Sequence, residues 1–306
     1  MNVLRFSAQK TPPPPVMGTA VDRPNLKQCP IPLNAFLWDS FSGSPDSLVL
    51  KFITHGDLVN AVCALEMTRE GWNPNALTVK PFESTLDGSS KLTATRKQWN
   101  ERIKNARNTK NYIGAFTASS PSYDGESYKK LQKLIDKGLR KHSSVFNIIS
   151  NKIKKLTAWP CFVASDNSPD GVVYLACQKP TIAVASSAQL EQKNHQGIVN
   201  QFVDDSFSAT IMKDGLDFDG DGQTDYRCQI YDPDVVGKSF SSFGSNSFAA
   251  PIAFARYACR LMEELSKAPE KAAQRLKQLN LYDFAFPDEE TYQKHPSYKG
   301  AVKVVA

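Results

Sequence analysis

The sequence predicts an α/β protein of one domain, with a mostly parallel central sheet and helices on both of its faces. Two observations carry this. Short strand-like segments at 33–38, 76–80, 112–118, 159–164 and 181–185 alternate with stretches of helical periodicity. That alternation builds parallel sheets covered on both faces. No internal repeat and no linker splits the 306 residues, a length that suits one large core.

Leu33 to Trp38 reads as a buried strand ending at Asp39. Val49 to Ile53 reads as another strand. It leads into His55-Gly56 and a helical pattern of Leu58, Val62 and Leu65. Ala76–Lys80 and Tyr112–Ala118 follow as strands. Two basic amphipathic helices come next, one with Tyr128, Leu131, Leu134, Ile135 and Leu139 on a face, the other with Val145, Ile148, Ile149, Ile153 and Leu156. Their lysines lie mainly on the other side, as a solvated face does. Trp159–Ala164 and Thr181–Ala185 are further strands, Ala249–Leu265 a strong helix and Pro269–Leu279 a second. Pro12 to Pro15 mark residues 1–28 as a polar, proline-rich surface arm, with order expected from about Pro30. Residues 29–306 form the domain, closing with a helix and tail over 268–306.

Composition narrows the function classes. Lys and Arg number 37 against 31 Asp and Glu, a formal charge of +6 that is too mild and mixed to announce a nucleic-acid binder. Six scattered cysteines with no CxxC pair exclude a zinc ribbon and a disulfide-dense scaffold; the even count permits disulfides, and buried free thiols are the expectation. No apolar run is long enough to span a bilayer. The first residues carry no secretory signal, so the cytoplasm is the default compartment.

Four segments carry candidate chemistry. Asp39 follows an apolar strand, where a carboxylate can orient a histidine or simply cap a turn. His55 in Thr54-His55-Gly56-Asp57-Leu58-Val59 stands at a strand-to-helix junction, where a neutral imidazole can take and return a proton. Asn167 ends Phe162-Val163-Ala164-Ser165-Asp166-Asn167, with an amide able to meet an oxyanion or to make a turn. Ser247 in Gly244-Ser245-Asn246-Ser247-Phe248-Ala249-Ala250-Pro251 opens a helix whose dipole favours negative charge; alone, the segment reads first as a serine cap. The order Asp, His, Ser is one of the known triad orders.

A fifth segment, Asp217 to Asp225, reads D-x-D-x-D-G-x-x-D. Oxygens from Asp217, Asp219, Asp221 and Asp225 and the backbone carbonyl of Gln223 are expected to converge on one structural Ca²⁺. An acidic surface turn is the plainer alternative. A full EF-hand does not fit, because position twelve is Cys228. A calcium loop suits a calcium-rich or secreted setting, against the cytoplasmic default.

With these residues in view, the sequence resembles the subtilases, the subtilisin-like serine proteases. Ser247-Phe248-Ala249-Ala250-Pro251 is similar to the family's Gly-Thr-Ser-Met-Ala-Ala-Pro motif, and Thr54-His55-Gly56-Asp57-Leu58-Val59 to its His-Gly-Thr-His-Val motif. Asp39-Ser40 resembles the start of Asp-Ser/Thr-Gly, and Ala164-Ser165-Asp166-Asn167 resembles Ala-Ala-Gly-Asn. The resemblance runs in order from about Leu33 to Leu265. Departures include Phe41 for the Gly after Asp-Ser, Leu58 for the second His, and Asn246 for the Thr before the serine.

The resemblance implies a subtilisin-like fold, a polypeptide substrate and an Asp39-His55-Ser247 triad with Asn167 in the oxyanion hole. It implies one cleft edge at Ala118, Ser119 and Ser120 and a pocket wall at Ala164, Ser165 and Asp166. The degraded flanks keep open a catalytically silent fold that binds a peptide or partner. A calcium-dependent surface binder using the basic helices is the third reading. The oligomeric state is unknown from sequence.

Overall fold

The computed structural model describes residues 16–41, 48–83, 108–118, 122–124, 159–165, 167, 171–173, 181–189 and 199–286. In chain order the strands are β1 Thr19–Ala20, β2 Leu33–Asp39, β3 Leu48–Val49, β4 Ile53–Thr54, β5 Leu77–Glu83, β6 Tyr112–Thr117, β7 Ser122–Asp124 and β8 Cys161–Ala164. They continue with β9 Gly171–Val173, β10 Thr181–Ser186, β11 Gln201–Val203, β12 Phe207–Met212, β13 Gly215–Asp217, β14 Tyr226–Arg227 and β15 Ser239–Ser242. Helix α1 spans His55–Arg69, α2 Asn246–Ser266 and α3 Ala272–Gln278.

Six strands form one sheet in the order β11-β10-β8-β6-β2-β5. Every neighbouring pair in it is parallel. β2 leads through α1 to β5 on one side, and β6 then returns to the other side of β2. The sheet reverses its direction of growth between β2 and β6. In open α/β sheets the carboxyl ends of strands at such a point border a crevice. Asp39 closes β2 there and Ala118 follows β6.

Along β2 the side chains alternate between faces. Leu33, Ala35 and Leu37 join the main core, whereas Phe36 packs with Tyr112, Phe82 and Trp159 in a second cluster. Helices α1 and α2 pack on each other and on the sheet, so both cover one face. α2 is buried along most of its length. Its alanines bring its axis close to the sheet, and Phe254 stacks on Phe116 with ring centroids 4.6 Å apart. Burying each such side chain contributes about 1.5–3 kcal/mol. The basic helices read between Tyr128 and Leu156 lie outside the described residues.

Several local readings change. Val49–Ile53 is not one strand but a hairpin, with β3 antiparallel to β4. Leu50 and Lys51 form its turn at φ 52° and 64°. Such a tight turn usually announces itself with Asn or Gly, and neither is present. Order also begins well before Pro30. β1 pairs antiparallel with β14, and Lys27 bridges to Trp72. A second sheet of five strands, β1-β14-β13-β12-β15, is antiparallel throughout. Its signal was the alternating burial of Phe207, Ala209 and Ile211 against Ser208, Thr210 and Met212. α2 begins three residues earlier than the reading at Ala249, so Pro251 falls in its second turn. Pro269–Lys271 forms a 3₁₀ turn before the short α3.

Cys29, Cys63, Cys161, Cys228 and Cys259 are free thiols, and Cys177 lies outside the described residues. Among the described residues no helix is long and apolar enough to cross a membrane.

Candidate active site

Asp39 and His55 meet at the switch point. The Asp39 side chain is fully buried, and the His55 ring is one-quarter exposed. Asp39 Oδ1 accepts the Ser40 N–H at 2.7 Å and the His55 Nδ1–H at 2.6 Å. The other oxygen, Oδ2, is buried without a hydrogen-bond partner. Burial alone lowers the His55 pKa, but the Asp39 charge and hydrogen bond outweigh it and hold the imidazole above its ordinary value. With Nδ1 carrying the proton toward Asp39, Nε2 is the basic nitrogen of the neutral ring.

Local sequence explains why the pair forms. Thr54 caps α1, its Oγ1 accepting the Asp57 N–H at 3.1 Å and donating to Asp57 Oδ2 at 2.6 Å. The Gly56 N–H donates to Ser40 O at 2.8 Å, tying the end of β2 to the start of α1. Phe41 fills the space above Gly56, and a Cβ there would lie 2.3 Å from its ring. The Phe41 departure from the family pattern is thus a packing partner for the histidine's neighbour.

Ser247 is the second residue of α2, partly exposed at the positive end of a 21-residue helix. The next residue, Phe248, lies near-parallel to the His55 ring, centroids 6.4 Å apart. Pro251 has no N–H for the Ser247 carbonyl, which loosens the helix at this serine. Among the described residues Ser247 Oγ makes no hydrogen bond to His55. Unliganded sites often hold these groups apart until substrate closes them.

Asn167 reaches the same helix end. Its Oδ1 accepts the Asn246 N–H at 2.8 Å. Because an N–H needs an oxygen to accept it, the amide nitrogen Nδ2 is the free end, and Asn167 is exposed. Asn167 is thus fastened to the residue before Ser247, with Nδ2 as its remaining donor.

Of the cleft residues read from sequence, Ala118, Ala164 and Ser165 are described. Ala118 follows β6, and Ala164 ends the neighbouring β8. Ser165 is buried, its N–H donating to Val184 O at 2.8 Å and its Oγ without a partner. Ser119, Ser120 and Asp166 lie outside the described residues. Beyond them β7 pairs antiparallel with β9, joining the segments that leave β6 and β8.

The acidic segment is the loop between β13 and β14. Carboxylate oxygens of Asp217, Asp219 and Asp225 all lie within 4.8 Å of one another. Buried Asp217 accepts Gly220 N–H at 2.7 Å and Gly222 N–H at 3.0 Å. Asp221 and Gln223 are exposed; the Asp221 carboxylate stands outside that group and accepts the Gln223 N–H at 2.8 Å. Arg23 lies against the same loop, paired with Asp225 and, at 3.3 Å, with Asp219. Three hard oxygens suit a divalent cation, and a guanidinium already pairs with two of the three carboxylates.

Sequence reasoning did not single out Asp205, Ser186 and Gln189. All three are buried around the loop that precedes Ser247. Asp205 stands two residues beyond the end of β11, and no local sequence pattern distinguishes it from its neighbour Asp204.

No family model and no curated protein matches this sequence. Among solved structures, the chain is similar to that of a lanthipeptide protease. The two chains are 11% identical, with 79% of this chain and 78% of that one covered at a TM-score of 0.41. So distant a likeness carries no weight for the chemistry.

Proposed function

We propose that this chain is a serine endopeptidase of the subtilisin type. The observation that supports it best is the fully buried Asp39 carboxylate on His55 Nδ1, at the switch point of a parallel sheet and beside the helix end that bears Ser247. In this reading Ser247 Oγ attacks a peptide carbonyl while His55 Nε2 takes its proton. His55 then gives that proton to the leaving amine, and water hydrolyses the acyl-enzyme by the same route. Asp39 holds the tautomer of His55 and stabilises the imidazolium. Asn167 Nδ2 and the Ser247 N–H stabilise the oxyanion.

The polypeptide would lie between an edge formed by Ala118, Ser119 and Ser120 and a wall formed by Ala164, Ser165 and Asp166. Asp217, Asp219 and Asp225 would hold a structural Ca²⁺ together with the Gln223 backbone carbonyl, and Asp221 would reach it after a shift of the loop. Covalent labelling by a fluorophosphonate probe tests the proposal. We expect labelling of the parent, none of Ser247→Ala, and strongly reduced labelling of His55→Ala. Folded protein that takes no label would favour the silent, peptide-binding reading instead.

A further inference from the structure

We infer that Asp205 is a positioning residue, the buried carboxylate that sets the backbone carrying Ser247. The inference rests on the reading of Ser247 as nucleophile. Asp205 follows β11 and has no exposed surface. A buried carboxylate is costly unless its oxygens are satisfied. Three donors satisfy this one: Ser186 Oγ–H, the Gly244 N–H at 3.1 Å and the Ser245 N–H at 2.7 Å.

Two of those donors belong to the turn immediately before α2. Gly244 stands at φ 77°, a left-handed conformation that glycine accepts readily. Ser245 is the helix cap, yet its side chain makes no capping bond. The usual local device for fixing a helix start is missing, and a carboxylate from the loop after β11 fixes it instead. Hydrogen bonds to an ionised acceptor are roughly twice as strong as neutral ones.

A neutral second set of bonds completes the grip. Gln189 Nε2 donates to Gly244 O at 2.6 Å, and Gln189 Oε1 accepts from Asn246 Nδ2 at 2.9 Å. Asn246 Oδ1 accepts the Ser186 N–H at 2.7 Å. Each residue from Gly244 to Asn246 is thus held by polar groups from β10, the turn after it, or Asp205. Asn246, which departs from the family's Thr, is part of this grip. Ser247 comes next in the chain, so its position relative to His55 follows from these bonds. Misplacing a reacting group by about 1 Å costs roughly 10²-fold in rate.

The test is fluorophosphonate labelling followed in time, on the full chain and on Asp205→Asn. The asparagine is isosteric, but its amide turns one accepting oxygen into a donor facing other donors. We expect the same final extent of labelling, an inactivation constant about 10–100-fold lower, and probe affinity within about twofold. A merely structural role would lower the final extent and leave the rate constant alone; that result, or an unchanged rate constant, overturns the inference and leaves the nucleophile reading standing. An unlabelled parent overturns the nucleophile reading and this inference with it. Should Asp205→Asn fail to fold, Ser186→Ala carries the test by removing one donor to the carboxylate. It should slow labelling about threefold, and an unchanged rate overturns the inference.

Discussion

The Phe41 ring stands where a side chain on Gly56 would have to go, 2.3 Å from the ideal Cβ position. The two residues flank Asp39 and His55, so their contact sets how closely the end of β2 approaches the start of α1. Gly56→Ala should destabilise the fold by about 1–3 kcal/mol through overpacking. Phe41→Ala should cost about 3–5 kcal/mol through the cavity it leaves. The double variant should cost less than the sum, because the smaller residue at 41 makes room for the methyl at 56. Denaturant titration of all four proteins measures that coupling, and strict additivity would remove the contact from the account.

The Asp39–His55 pair makes a pH prediction. His55 is held above its ordinary pKa, near 6.5 in an unperturbed histidine. The labelling rate of Ser247 should therefore rise with pH through a midpoint above about 6.5. The same raised pKa stabilises the fold fully below the unfolded value and loses that contribution as pH rises through the folded value. In Asp39→Asn the attraction disappears and burial remains, so the midpoint should fall. Its labelling rate should drop by about 10³–10⁴-fold. A midpoint unmoved by Asp39→Asn would separate the two residues functionally.

Asn167 offers Nδ2 only because its oxygen is engaged by the Asn246 N–H. Asn167→Ala should lower kcat on a peptide substrate by about 10²–10³-fold with little change in KM. A rise in KM at unchanged kcat would instead make Asn167 a ground-state contact.

Arg23 pairs with Asp219 and Asp225, two of the three carboxylates that a divalent cation would need. If Ca²⁺ binds, at a hundred times its Kd it adds about 2.7 kcal/mol to stability. The rise in Tm on adding Ca²⁺ should be larger in Arg23→Ala than in the parent and absent in Asp225→Ala. Equal Tm values with Ca²⁺ and with chelator in both parent and Arg23→Ala would leave the loop as an acidic turn closed by a guanidinium.

The parallel sheet was legible because its strands are short, apolar and separated by helical periodicity. Leu33–Asp39 and Thr181–Ser186 stand almost where the pattern put them. Asp39 and His55 were legible as neighbours only through a motif resemblance, since nothing in their spacing of sixteen residues states that a hairpin folds between them. Leu50 and Lys51 hide that hairpin by taking left-handed conformations without glycine or asparagine. The antiparallel sheet was missed because two of its strands, β1 and β14, are two residues long and too short to show a period. Asp205 was missed for a different reason. Its partners at 186, 244 and 245 are distant in sequence, and no local pattern marks a carboxylate that will be buried.

The pairing of β1 with β14 also bears on how the chain is made. Thr19 and Ala20 find their partners at Arg227 and Tyr226, and Arg23 finds its own at Asp219 and Asp225. During synthesis the first described strand must wait for more than two hundred residues before it can be paired. Contacts that distant are slow to close because the intervening loop must be ordered first. The helix end that bears Ser247 is made later still. On the proposed reading, a nascent chain thus carries Asp39 and His55 long before it carries the serine they would activate, and no reactivity could arise before residue 247 has left the ribosome.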